Sequence, residues 1–335
     1  TDHHLPGPQL PDAAVIVNPN QPGDDFESKS MAGVGVMFYV LLALRAELRA
    51  RGTFDAASQP KLDALLPIVA LGTVADVVRL DANNRRLVAQ GLRRIRAGSM
   101  PAGIAALFEA AARKPQAATT FDFGFALGPR INAAGRLSDM TIGIRTLITD
   151  DAAQASALAA ELGKMNEERK RIEADMKRDA LEDIEKFIQS DEPAAGVVVA
   201  HEGWHQGVIG ILAARIKERL YRPTIALAPG DAGFWKGSGR SIPGVHLRDV
   251  LDLVSKRLPD GAMPKFGGHA MAAGLTLHGE HVDGFKLAFA QAVRDLSDPS
   301  ALTQVVETDG SIPPDYIAAH AADLIRQGMS APHVL

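Results

Sequence analysis

The sequence predicts an α/β protein: two α/β domains joined by a long connecting helix. Three observations carry this expectation. Short β-branched runs alternate with longer segments of helical periodicity on both sides of the chain's middle. Residues 152–188 hold no proline and a single glycine, Gly163, and keep apolar residues at helical spacing among charges of both signs. The 335 residues suffice for two domains at about 100 to 200 residues each.

Taken in order, residues 12–18 are short, rich in β-branched side chains and closed by Pro19, which reads as a strand. Residues 31–51 have the apolar density of a mostly buried helix, and a second helix over 61–71 leads into Gly72-Thr73-Val74-Ala75-Asp76-Val77-Val78. Further helices are expected over 83–97 and 104–112, so that residues 1–150 form a layered α/β domain. The connector, 151–192, is expected to hold one helix over 152–188, about 55 Å long at about 1.5 Å per residue, ended by Asp191-Glu192-Pro193. A second α/β pattern fills 193–297, with strands at 196–200, 224–228 and 272–277 and helices at 208–220, 247–257 and 282–296. Residues 298–335 read as the start of a further, truncated domain, and the opening Thr1-Asp2-His3-His4 likewise reads as a cut end.

Composition narrows the function classes. Hydrophobic residues make up 46% and charged residues 23%, the balance of a chain that buries real cores. The uncharged apolar run 31–44 is shorter than the roughly 18 to 20 residues a bilayer crossing needs. The chain has no cysteine, which excludes disulfides and thiolate metal sites, and its first residues carry no basic-then-apolar signal, so a cytoplasmic setting is expected. With net charge −4, contact with nucleic acid requires a local basic surface.

Several clusters carry chemistry. Asp2-His3-His4 places three groups suited to a divalent cation in succession, with a solvated terminus as the alternative. Asp76 is a lone carboxylate in an apolar stretch, where a metal would offset the cost of burial; an N-cap role or pairing with Arg79 is the alternative. The segment 123–137 sets Arg130, Asn132 and Arg136 on a backbone freed by Gly128 and Gly135, and arginine forks suit phosphate oxygens, unless surface carboxylates occupy them. Trp204 and His205 precede a helix start, where free amides bind anions and an indole can stack on a base or simply pack. Ser238, Arg240 and Ser241 read as a glycine-rich phosphate turn, and Gly267, Gly268 and His269 as another.

The order of these segments resembles the DHH phosphoesterase superfamily, in its single-strand-specific exonuclease branch. The residues that carry the resemblance are Thr1-Asp2-His3-His4, Ala32-Gly33-Val34-Gly35-Val36, Gly72-Thr73-Val74-Ala75-Asp76-Val77 and the string from Gly128 to Leu137 in the first half. In the second half they are Trp204-His205-Gln206-Gly207-Val208-Ile209-Gly210, residues 237–241 and Phe266-Gly267-Gly268-His269. The resemblance implies a 5′-to-3′ exonuclease that hydrolyses single-stranded DNA in repair and recombination, using two Mn²⁺ or Mg²⁺ ions. By the same resemblance His3 and Asp76 ligate metal, Asp2 orients the cluster, and His4 lies beside the metal or the scissile phosphate. Arg130, Asn132, Arg136, Trp204, His205, Ser238, Arg240, Ser241, Gly267, Gly268 and His269 would hold substrate. Single-strand-binding protein and repair or recombination helicases are the implied partners. The family's Asp-x-Asp motif does not occur in this sequence, so the metal site is expected to be incomplete and the chain by itself nearly inactive. Two alternatives stay open: a small-substrate phosphodiesterase acting on nanoRNA or cyclic dinucleotides, and a non-catalytic nucleic-acid-binding relative.

Overall fold

The computed structural model describes residues 1–328 apart from 8, 190–192, 307 and 309, with backbone alone at 182, 183, 186, 187 and 326–328. The chain divides into two compact units, Thr1–Asn166 together with the chain from Ser311 onward, and Glu167–Gly310.

In the described residues the first unit is helical. After an irregular stretch come α1 (Gly33–Ala50), α2 (Leu66–Ala75), α3 (Ala82–Arg96) and α4 (Ala102–Ala110). A short α5 (Thr120–Asp122) runs through a π-helical turn, Phe123–Leu127, into α6 (Gly128–Leu137), followed by α7 (Thr141–Ile148). Local chemistry sets several starts. Asp81 caps α3 by accepting from Asn84 N–H at 2.9 Å, Pro101 precedes α4, and Thr119 with Asp122 forms a capping box at α5. Leu71, Leu92, Ile95, Ile104, Leu107, Phe108, Phe123 and Leu127 form the core between these helices.

The strand expected at 12–18 does not form. Val15 is 77% exposed, and in place of a ladder the segment's backbone accepts scattered bonds, from Asp2 N–H at Val17 C=O and from the Gln21 side-chain amide at Ile16 C=O, each at 3.0 Å. β-branching favours extended backbone, but a strand also needs a neighbour to complete its ladder. The β/α alternation expected through residue 150 is therefore replaced by helices among the described residues. The α/β character of the chain rests on the second unit.

The expected single helix over 152–188 is α8 (Ala152–Asp179) followed by α9 (Leu181–Ile188). The boundary between the units falls within α8. Ala180 N–H still reaches Met176 C=O and Ile184 N–H reaches Ala180 C=O, so the interruption is confined to Ala180. Of the expected stop signal, Asp191 and Glu192 lie outside the described residues.

The second unit is a five-stranded mixed sheet with helices on both faces. Its strands are β1 (Val197–Ala200), β2 (Thr224–Pro229), β3 (Phe234–Arg240), β4 (Lys265–Gly268) and β5 (Ala272–His278), in the order β1-β2-β3-β5-β4. The pair β1/β2 is parallel, and the remaining pairs are antiparallel. Helix α10 (Ile209–Leu220) packs over β2 and β3, while α11 (Leu247–Arg257) and α12 (Val282–Leu296) close the main core against Ile225, Leu227, Leu275 and Leu277. A last helix, α13 (Ala319–Gly328), follows in the chain from Ser311 onward.

Candidate active site and nucleic-acid interface

In the first unit the Asp2-His3-His4 segment is held by side chains on the returning chain. The Asn18 amide donates to His4 C=O at 2.8 Å, and the Asn20 amide donates to His3 C=O at 2.8 Å and to Lys29 C=O at 3.0 Å. Lys29 Nζ in turn donates to Pro19 C=O and Asp24 C=O. The Asp2 carboxylate accepts from His4 Nδ1 at 2.8 Å and from the amides of His3 and His4, and these bonds hold its pKa down to about 2. Asp2 thus orders the turn that presents the two imidazoles.

His3 meets Asp76 through helix geometry. The His3 ring lies over Gly33 at the start of α1, where an added Cβ would stand 3.5 Å from the ring. Gly72 in α2 lets Val34 of α1 approach so closely that a Cβ there would lie 2.7 Å from it. Two glycine-bearing motifs thereby serve one helix crossing, which sets His3 Nε2 3.5 Å from Asp76 Oδ2. Asp76 is not embedded as the apolar sequence around it suggests. Helix α2 runs four residues past the expected end, and Asp76 becomes its C-cap with a side chain 41% exposed. The chain leaves through Val77, whose φ of 60 is unusual for a β-branched residue. Neither an N-cap role nor Arg79 accounts for Asp76.

Asp76 and Asn132 line one pocket of about 330 Å³, together with Gly72, Gly128 and Ile131. The segment 123–137, a loop by its sequence, is instead the π-helical turn and α6. Its Gly128 serves packing, since a Cβ there would stand 3.3 Å from Ala75 Cβ. Arg130 is half-buried and donates to Ala126 C=O at 2.8 Å and to Ala110 C=O, at the end of α4, at 3.2 Å. Arg136 is exposed on the last turn of α6.

A carboxylate suits Mn²⁺ or Mg²⁺ and an imidazole beside it suits the softer Mn²⁺ better, so His3 and Asp76 together fit Mn²⁺ in kind. Among the described residues no group of three or more candidate ligands converges, so the chain supplies a pair of donors.

In the second unit the glycine-rich segment 237–241 is not a turn. It is strand β3 through Arg240, and its glycines admit packing: a Cβ at Gly239 would stand 2.5 Å from Ile225 and 2.7 Å from Leu247. Ser238 and Arg240 face α10, where Gly210 makes room for them, and the Arg240 guanidinium donates to Ser238 Oγ at 3.2 Å and to Gly239 C=O at 2.7 Å. Ser241 is 1% exposed, with its hydroxyl donating to Val245 C=O, and Trp204 is 6% exposed, with its indole N–H facing Asp179 at 3.3 Å. Both side chains are buried, and the Trp204 indole N–H and the Ser241 hydroxyl each hold a partner within the unit. His205 remains exposed, its ring nitrogen accepting from Gly207 N–H.

The segment 265–269 is also a strand in large part. Gly268 has φ 145, and a Cβ there would strike Ala272 C=O at 2.4 Å, so the fold itself demands glycine. His269 follows, exposed, where its amide closes the β4–β5 connection on Ala272 C=O at 2.8 Å. Ser238 and Gly267 share a pocket of about 480 Å³ with Gln206, Lys236, Lys265 and Thr276. Sequence reasoning leaves Thr276 and Gln206 unassigned, because strand register brings Thr276, and the turn before α10 brings Gln206, into the pocket that Ser238 lines.

This sheet unit is of a known class: a family model described as the DHHA1 domain matches residues 194–295. The single-stranded-DNA-specific exonuclease RecJ of Salmonella typhimurium strain LT2 is 52% identical over 329 residues, 97% of this chain and 57% of that protein. A crystal structure of exonuclease RecJ bound to manganese matches at 33% identity with TM-score 0.70, covering 90% of this chain and 70% of that one. That of RecJ from Thermus thermophilus in complex with Mn²⁺ matches at 31% identity with TM-score 0.79, covering 99% and 46%. The chain belongs to the RecJ family. It spans 57% of the length of the Salmonella relative.

Proposed function

We propose that this chain is the part of a divalent-metal-dependent exonuclease that contributes two metal donors and a basic sheet face for single-stranded DNA, degraded from the 5′ end. The observation that carries the reading is the placement of His3 and Asp76, far apart in sequence, 3.5 Å from one another beside the pocket that Asn132 lines. Bound there, a divalent cation would activate water and stabilise the leaving oxygen in phosphodiester hydrolysis. The chain's own side chains do the rest: Asp2 fixes the His3–His4 turn, His4 sits beside it with its ring centroid 4.3 Å from that of His3, and Ser238, Arg240 and His269 offer donors to phosphate oxygens. The relatives named above as single-stranded-DNA-specific exonucleases, and as structures holding Mn²⁺, support the substrate and the ion.

On resemblance the proposal extends to partnership with single-strand-binding protein and with repair or recombination helicases. A cytoplasmic setting accords with the lack of cysteine, and among the described residues no helix is long and apolar enough to cross a membrane.

In a full-length family member carrying this span, Asp76→Ala should lower Mn²⁺-dependent release of 5′-labelled nucleotides by at least about a hundredfold while the melting curve stays in place. Retained turnover would make Asp76 structural. Binding separates the reading from the small-substrate alternative: fluorescence anisotropy should show this chain preferring single strands to blunt duplex, with affinity falling with salt by about 0.7 log units per phosphate contacted. A flat salt response with tight binding of a dinucleotide would favour the alternative.

A further inference from the structure

We propose that Lys236, Thr276 and Lys265 form a second phosphate-binding rung on the sheet of the second unit, one nucleotide step from Ser238. The inference deepens the single-strand reading above and rests on it.

Strand register is the first observation. Lys236 of β3 pairs with Thr276 of β5, and Thr276 pairs with Lys265 of β4, so the three residues lie in one row across three strands. Two residues along, Ser238 pairs with Gly274, and Gly274 with Gly267, forming a parallel row on the same face. At about 3.4 Å per residue the rows stand about 7 Å apart, comparable to the step between successive phosphates of an extended strand. All six residues line the pocket of about 480 Å³.

Charge is the second. The residues lining the pocket include two lysines and no carboxylate. Lys236 Nζ donates to Thr276 Oγ1 at 3.1 Å, and among the described residues neither lysine has a carboxylate within ion-pair distance. The two strands that carry the lysines are separated by β5, which places their backbones about 10 Å apart with the Thr276 hydroxyl between them. Two like charges flanking a hydroxyl repel each other until an anion lies between them.

The floor of the pocket is the third. Gly267 has an ordinary φ, and a Cβ there would meet nothing within 4 Å, whereas Gly268 beside it is demanded by both conformation and packing. Neither the fold nor its packing calls for glycine at 267. A bare backbone there leaves the pocket open for the sugar-phosphate chain to pass from one row to the other.

The test is anisotropy of this chain with fluorescein-labelled oligo-dT across a salt series. Lys236→Ala and Lys265→Ala should each weaken binding roughly tenfold and make the salt slope shallower by about 0.7, while Lys236→Arg and Lys265→Arg keep the slope. Gly267→Val should weaken binding and leave the slope unchanged, with melting temperature unaltered in every variant. If the unaltered chain binds single strands and both alanine variants keep its slope, the rung is wrong and the broader reading stands. If the unaltered chain does not bind single strands at all, both fail. Equal dependence of dTMP binding on the two lysines would put a lone nucleotide on the row and overturn the two-step arrangement.

Discussion

The two candidate sites are built on opposite principles. In the first unit, the described residues among 1–32 form no helix or strand, and side-chain amides hold the functional segment in place: Asn18 and Asn20 grip the carbonyls of His4 and His3. In the second unit, Ser238, Arg240 and Gly267 sit on strands whose backbone ladder fixes them whatever their side chains do. A site held by side chains should fail when one is deleted. A site held by register should tolerate deletion and fail when bulk is added where the sheet meets its helices.

The largest effect is expected from Gly239→Val. The new side chain would be driven into Ile225 and Leu247, and overpacking of this kind costs about 1 to 3 kcal/mol. Hydrogen exchange should show lost protection across β2, β3 and α11, with amides of α2 and α3 unchanged. Loss of protection in both units alike would show that the two do not stand independently.

Next in size is Asn18→Ala. Asn18 is 4% exposed, and its removal leaves His4 C=O without its donor at a local cost of about 1 to 3 kcal/mol. Amide exchange at His3 and His4 should quicken at least tenfold, and Mn²⁺-induced relaxation of the His3 ring protons should weaken, while single-strand binding by the sheet unit holds. Unchanged exchange at His4 would leave the Asn18 grip without consequence.

Arg240→Ala and His269→Ala should each lower single-strand affinity by roughly tenfold and leave the melting temperature within a degree or so, because the ladder positions neither through its side chain. A fall in stability matching the fall in affinity would mean that Arg240 holds the strand together through Ser238 and Gly239.

The smallest effect concerns pH. Asp2 is held down to about 2, chiefly by the His4 side chain and then by the His4 and His3 amides. A lowered pKa contributes order that is fully present above the unfolded value near 4 and is lost as pH falls through the folded value. In the metal-free chain, order of residues 2–4 should therefore persist to about pH 4 and fade toward pH 2. The Asp2 carboxyl should titrate nearer the ordinary range in His4→Ala. A midpoint unmoved by that substitution would assign the shift to the backbone amides alone.

Legibility from sequence differs between the two sites. The positions of α1, α3, α10, α11, α12, β2 and β5 are readable within a few residues from periodicity and turn residues. The segments 123–137 and 237–241 read as loops because their glycines look like conformational freedom. In the fold most of them are points of close approach, Gly128 to Ala75, Gly237 to Leu275 and Gly239 to Ile225, which depend on what lies opposite. Trp204 and Ser241 suit substrate by residue type, and only the fold shows that both are buried.

By itself the sequence determined the mixed class, the apolar faces, the family membership that its motifs announced and the identity of the candidate ligands, because those follow from residue type and spacing along one chain. Only the tertiary structure decided that Asp76 caps a helix within reach of His3, that residues 12–18 stay unpaired, and that Lys236, Thr276 and Lys265 share a row. The physical reason is that pairing across strands and approach between helices are fixed by partners distant in sequence. No local pattern encodes how close such partners come.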